Sequence, residues 1–241
     1  MAGKIGPFPA CSWSHSRDRI FRACKREYFW QFYASHGGWL AAAGNLAQLA
    51  YALKQLTTFE MELGASIHRA AARIALAIRE GRSWPGRSEL EAQAKADLNA
   101  LYVRSQDLRT FRLRPKYHPV DRHIYYGGSL EPWRQQKLQE KLQNCLSNLL
   151  SSPVWDHVMA AGDAILVIDE LATFPWDTID IWVAPDLVFM GDDGANLVDW
   201  KTGRLLPARI SWGCMAYTPE RYLSLTHRTS GAWSAWRRAT R

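Results

Sequence analysis

Residues 179–204, IDIWVAPDLVFMGDDGANLVDWKTGR, decide how the chain reads. Two apolar, β-branched-rich runs flank Gly191, Asp192, Asp193 and Gly194, and an Asp-Gly step between such runs is a strong hairpin signal. If the turn is centred on Asp192 and Asp193, Asp186 stands opposite Asp199; if it is centred on Asp193 and Gly194, Asp186 faces Lys201. Either register gathers three ionisable groups within one cross-strand step. Strand alternation puts Asp199 and Lys201 on one face and Trp200 on the other. This patch, flanked by Ile181, Val183, Leu197 and Val198, has oxygen donors for a hard divalent cation and an ammonium beside them. The plain alternative is two edge aspartates and a solvated lysine near a polar turn. Against it, Asp186 follows Pro185 in an apolar strand and Asp199 interrupts Leu197, Val198 and Trp200, places where β-propensity disfavours Asp. Charges so placed usually have partners or a task.

Working outward, 164–169 and 171–176 read as short strands, and almost everything before them as helix. The spacing predicts helices over 46–56, 59–80, 88–112 and 132–150, the last with Leu138, Leu142, Leu146 and Leu149 as its apolar line. His68 sits beside the stripe Ile67, Ala71, Ile74 and Ile78; read alone, such a histidine is more often a buried, hydrogen-bonded one or a surface one than a ligand. The segment 114–130, with Pro115, Pro119, Gly127 and Gly128, reads as a long loop. Near the N-terminus, Ser14 or Ser16 caps a helix that runs to Gly37 with Ile20, Phe21, Cys24, Tyr28, Phe29 and Phe32 on its apolar face. Basic groups fill the opposite face. Arg17, Arg22, Lys25 and Arg26, interleaved with aromatics such as Tyr28, are candidates for gripping phosphates and stacking on bases. The plain alternative is an aromatic core stripe with solvated charges.

With 241 residues and 47% hydrophobic content, the chain can bury a sizeable core, as one domain or one domain with a helical annex. It lacks an apolar run of 18 residues and an apolar N-terminal signal core, so the expectation is a soluble cytoplasmic protein without a membrane partner. Cys11, Cys24, Cys145 and Cys214 form no CxxC pair, which argues for free thiols. The net charge of +7 is concentrated: the segment from Arg204 carries seven Arg and one Glu, leaving +1 for residues 1–203. A basic balance therefore supports DNA binding only through local clusters.

The ordered set SWS and FRACKREYFW in the first helix, a helical GASIH, the strand PDLV and the strand DWK closing in TGR resembles the RecB-like branch of the PD-(D/E)XK nuclease superfamily, which includes CRISPR-associated and recombination-repair exonucleases. The resemblance spans about residues 12–204. It implies an α/β fold with a restriction-endonuclease-like core, a short mixed sheet flanked by helices, within a domain 1–203 that is helical over 1–150 and carries its sheet and active-site hairpin over 163–203. It also implies Mg²⁺ or Mn²⁺ held by His68, Asp186, Asp199 and the carbonyl of Trp200, with Asp186, Asp199 and Lys201 catalytic, and DNA as substrate beside a helicase or another repair protein. Histidine suits Mn²⁺ better than Mg²⁺. Two features depart from the family pattern. The branch follows DxK with a helix bearing QxxxY, yet no Gln occurs after Gln143, and Tyr217 and Tyr222 stand without that partner. Some relatives hold an iron-sulfur cluster with one Cys in the first helix and three near the C-terminus; Cys24 fits the first, but only Cys214 lies beyond residue 200, so a cluster is not supported. The basic segment 204–241 reads as a truncated or frameshifted C-terminus. The expected function is metal-dependent DNA cleavage in repair, recombination or defence, and the alternative is a catalytically incomplete DNA-binding or scaffolding module of the same fold.

Overall fold

The computed structural model describes Gly6, 8–191 and 194–203. Asp192 and Asp193 of the expected turn, and the basic tail with Cys214, Tyr217 and Tyr222, lie outside the described residues. In chain order the elements are β1 (Ser12–Trp13), α1 (His15–Ala23), α2 (Lys25–Tyr28), a π-helical segment (Phe29–Ala34), α3 (Asn45–Lys54), α4 (Phe59–Arg79), α5 (Arg87–Ser105), α6 (Leu108–Leu113), α7 (Arg122–Tyr125), α8 (Pro132–Leu150), α9 (Val154–Ala161), β2 (Ile165–Ile168), β3 (Ala172–Trp176), β4 (Ile179–Val183), β5 (Leu187–Gly191) and β6 (Gly194–Val198). The class is mixed α/β, with helix in excess. The strands form two three-stranded sheets, β1-β4-β3 and β2-β5-β6, rather than the one short sheet expected.

The reason lies at Ala184, Pro185 and Asp186, which interrupt the first apolar run of the quoted stretch. Proline cannot donate to a ladder, so a strand carrying it internally tends to end there. Ile181 and Val183 consequently belong to β4, in the β1-β4-β3 sheet, and not to the sheet that carries β5 and β6. By contact the chain falls into two compact units, one comprising the described residues up to Thr58 with 100–129 and 173–183, the other 59–99, 130–172 and the described residues from 184. They are not the helical and strand halves of the sequence.

In the first unit β1 runs parallel to β4, with Ser12 opposite Asp180 and Trp13 opposite Ile181. Ser14 caps α1 by accepting the Arg17 N–H at 3.2 Å. The helix expected to reach Gly37 breaks at Cys24, whose extended backbone (φ −157°, ψ 106°) ends α1 while its Sγ accepts the Glu27 N–H at 3.4 Å and starts α2. The single helix predicted over 88–112 likewise breaks after Ser105, and Asp107 caps α6 through the Thr110 N–H. The predicted loop 114–130 is tied down by Asp121, which is fully buried, caps α7 by accepting the N–H groups of His123 and Ile124, and donates its own N–H to the Ser105 hydroxyl oxygen at 2.8 Å. Leu56, Phe111 and Val120 form the local core, with Ala52, Leu53, Leu108 and Tyr125 against them.

The second unit is built on α4. Phe59, Leu63, Ile67, Ala70, Ala71, Ile74, Ala75 and Ala77 are all buried, a spread too wide for one amphipathic stripe, as befits a helix packed on more than one side. Its helical partner α8 buries Leu138, Leu142, Leu146 and Leu149 as the spacing predicted. The three consecutive residues Leu187, Val188 and Phe189 of β5 are buried, so this central strand is covered on both faces. Trp155 on α9 is fully buried; its indole N–H donates to the Leu149 carbonyl at 2.6 Å, and its ring meets Trp84 at 5.7 Å and Trp200 at 5.4 Å.

Candidate metal centre

The β5–β6 register pairs Leu187 with Val198 and Gly191 with Gly194. One step beyond the ladder, Asp186 and Asp199 therefore come opposite each other, the first of the two registers the sequence left open. Three contacts hold Asp186. Its backbone carbonyl accepts the Asp169 N–H at 2.8 Å, one carboxylate oxygen accepts the Trp200 N–H at 2.6 Å, and the other lies 3.0 Å from His68 Nδ1. Trp200, between the two ionisable residues of DWK, turns its ring inward onto Trp155 with 26° between the planes. Alternation then turns Asp199 and Lys201 together to the other face, where Lys201 Nζ donates to both carboxylate oxygens of Asp199, at 2.7 and 2.6 Å.

His68 reaches this hairpin because α4 runs close over it. A Cβ on Gly64 would stand 3.0 Å from Thr202 Oγ1. Glycine inside a helix costs about 1 kcal/mol relative to alanine, and here the missing side chain lets the helix approach the residue that follows Lys201. One turn further on, His68 meets Asp186. Four residues separated by up to 133 positions in the chain, His68, Asp186, Asp199 and Lys201, are thus gathered in one unit.

The electrostatics divide the two aspartates. Burial pushes the Asp199 carboxyl above its ordinary value, and neighbouring Asp186 pushes the same way against the pull of Lys201. Burial acts on Asp186 too, but the His68 hydrogen bond and charge, the Trp200 N–H and Lys201 outweigh it and hold that carboxyl low. His68 is raised above its usual 6.5, first by the Asp186 hydrogen bond, with burial opposing. A raised histidine stabilises the fold below its unfolded pKa and loses that contribution as pH rises through the folded value; a depressed aspartate contributes above its unfolded value of 3.8 and loses it as pH falls. The His68–Asp186 pair therefore stabilises most between roughly pH 4 and 6.5. Without divalent ions, the melting temperature is expected to fall from pH 6 to pH 8, and His68→Asn to flatten that slope; an unchanged slope in the variant would remove the pair as its source.

Among the described residues, no three His, Cys, Asp or Glu side chains surround a common point as they stand. The donors instead meet in pairs, His68 on Asp186 and Lys201 on Asp199. The donor set itself, two carboxylates, an imidazole and the backbone at Trp200, suits Mn²⁺ and, less well, Mg²⁺. The basic residues predicted to touch nucleic acid belong to the first unit. The Arg17 guanidinium lies 4.4 Å over the Phe32 ring and donates to the Ser12 carbonyl and hydroxyl, and Tyr28 packs against Phe21 and Phe32, so both are engaged internally. Arg22 pairs with Asp18 at 2.7 Å, Lys25 lies 5.6 Å over Phe21, and Arg26 is exposed. Sequence reasoning did not find Trp155, Thr202 or a cleft beside His68 lined by Lys141 and Asp169; only the Gly64-to-His68 spacing hinted at the close helix. No protein-family model matches the chain, and neither does any curated protein or solved structure.

Proposed function

We propose that the chain is a metal-dependent deoxyribonuclease of RecB-like type, hydrolysing phosphodiesters in repair, recombination or defence, with β2, β5, β6 and α4 as a restriction-endonuclease-like core. The observation that carries this reading is the meeting of His68 from the GASIH helix with Asp186 at 3.0 Å, on a hairpin whose other strand presents Asp199 and Lys201. Asp186, Asp199, His68 and the Trp200 carbonyl would hold the ion. The chemistry such an ion supplies when bound is Lewis-acid polarisation of a phosphodiester and of a water molecule. The chain's own residues do the rest. Asp186 is oriented by the Trp200 N–H and holds the His68 ring through Nδ1. Lys201, freed from Asp199, brings an ammonium to the attacking water or to the charge that grows on the phosphoryl oxygens. Buried Trp200 fixes the strand from which Asp199 and Lys201 project.

A second reading is a catalytically incomplete DNA-binding or scaffolding module, favoured by the closure of both Asp199 oxygens onto Lys201. Lys201→Ala separates them. On the nuclease reading, the variant binds Mn²⁺ as tightly as the parent or more so, because Asp199 loses a competitor, while single-turnover DNA cleavage slows about 10²- to 10³-fold. Equal rates would remove the lysine from the chemistry. DNA binding without cleavage by either protein would favour the module.

A further inference from the structure

His68 opens onto a cleft of about 570 Å³ whose floor is one stripe of α4, Met61, Gly64, Ala65 and His68, and whose rim includes Lys141 of α8 and Thr202. From residue 61 to 68 the stripe runs about 10 Å, the rise of about three stacked nucleotides. Its centre holds the two smallest residues of the stripe; Thr202 already stands over Gly64, and Ala65 is the small side chain left lining the cleft. The charges around the cleft are mostly committed. Glu60 takes a two-pronged contact from Arg134 at 3.0 and 2.9 Å, Arg69 bonds Glu62 and Asp97 at 2.7 Å each, and His68 is on Asp186. Lys141 has no ion pair among the described residues and lines the cleft together with the exposed residue Asp169.

We propose that Lys141 grips a phosphate of the nucleic-acid strand next to the one that is cut, with the strand laid along the Met61–His68 stripe. The proposal rests on the nuclease reading for the cut itself, but the grip stands on the cleft. A compact ammonium on a flexible stem suits a phosphate met as a point charge. It contributes affinity and register and no base preference.

The test uses the full chain, a fluorescently labelled oligodeoxythymidine and a salt series, first in EDTA by anisotropy and then with Mn²⁺ by cleavage. Lys141→Ala is expected to weaken binding about three- to tenfold and to make the slope of log affinity against log salt shallower by about 0.7, the share of one single-strand phosphate contact. In cleavage it raises KM and leaves kcat unchanged. Lys141→Arg, which keeps the charge, is expected to restore both affinity and slope. Parent-like affinity and slope in Lys141→Ala would overturn the proposal, as would an equal loss in Lys141→Arg, which would assign the effect to shape. Cleavage by the parent with Lys141→Ala unaffected sinks the grip and keeps the nuclease; Lys141-dependent binding with no cleavage by the parent does the reverse.

Discussion

Asp199→Asn is expected to reduce Mn²⁺-dependent cleavage by about a thousandfold or more while the melting temperature stays level or rises. The two effects have one cause. Burial raises the Asp199 carboxyl, and Asp186 repels it. A carboxylate whose folded value lies above its unfolded one opposes folding at neutral pH, because the unfolded chain ionises it more readily. Asparagine keeps the shape and removes that opposition, while also removing a charged oxygen donor. Asp186→Asn moves the other way in stability, since its carboxylate accepts the Trp200 N–H at 2.6 Å and meets His68; weakening such charge-assisted bonds costs about 1–3 kcal/mol. Differential scanning calorimetry at pH 7 without divalent ions checks both signs. A clear loss of stability in Asp199→Asn would mean that its bond to Lys201 dominates and that the carboxylate is a structural group.

Trp155→Ala is expected to have the largest effect on the fold, a loss of about 3–5 kcal/mol, the usual cost of removing a fully buried aromatic side chain. For a chain of this size that corresponds to about 6–20 °C in melting temperature. The indole does three things at once: it fills the space between α9 and the hairpin, satisfies the Leu149 carbonyl, and stacks on Trp200. Trp155→Phe keeps most of the filling and loses the donor, so a smaller loss of about 1–2 kcal/mol is expected. Because Trp200 lies between Asp199 and Lys201, Trp155→Ala should weaken the site at temperatures where the fold persists. Near-ultraviolet circular dichroism during melting, with Mn²⁺ affinity at 20 °C, distinguishes this from simple unfolding. Parent-like melting would show that Trp155 does not anchor the unit.

What could be read from the chain followed the strength of local signals. The leucine line of α8 and the long periodic run of α4 appear where the spacing placed them, because burial on one helix reports directly in a 3.6-residue period. The Asp186–Asp199 opposition was legible as one of two registers, and the Gly191–Gly194 pairing selects one. The division of the 179–191 run between two sheets was hidden because β4 and β5 are alike in composition, and Pro185 was read as a feature within one strand. The breaks at Cys24 and after Ser105 were missed for a related reason: the caps there are a cysteine thiol and an aspartate inside otherwise helical sequence. In the site, the two aspartates and Lys201 could be placed from the hairpin alone, but His68 only through a family resemblance. Its neighbour depends on a helix approach at Gly64 that no periodicity encodes. Trp155 is invisible for the same reason, since its partners Trp84 and Trp200 are distant in sequence.

We propose that His68, Asp186, Asp199 and Lys201 form one metal-dependent phosphodiesterase site. Its most direct test is the cleavage of end-labelled single-stranded and duplex DNA by the full chain, with Mn²⁺, with Mg²⁺ and with EDTA, beside Asp199→Asn and His68→Ala. Cleavage is expected to be strongest in Mn²⁺, absent in EDTA and lost in both variants. Cleavage that persists in EDTA, or in Asp199→Asn at the parent's rate, would contradict it.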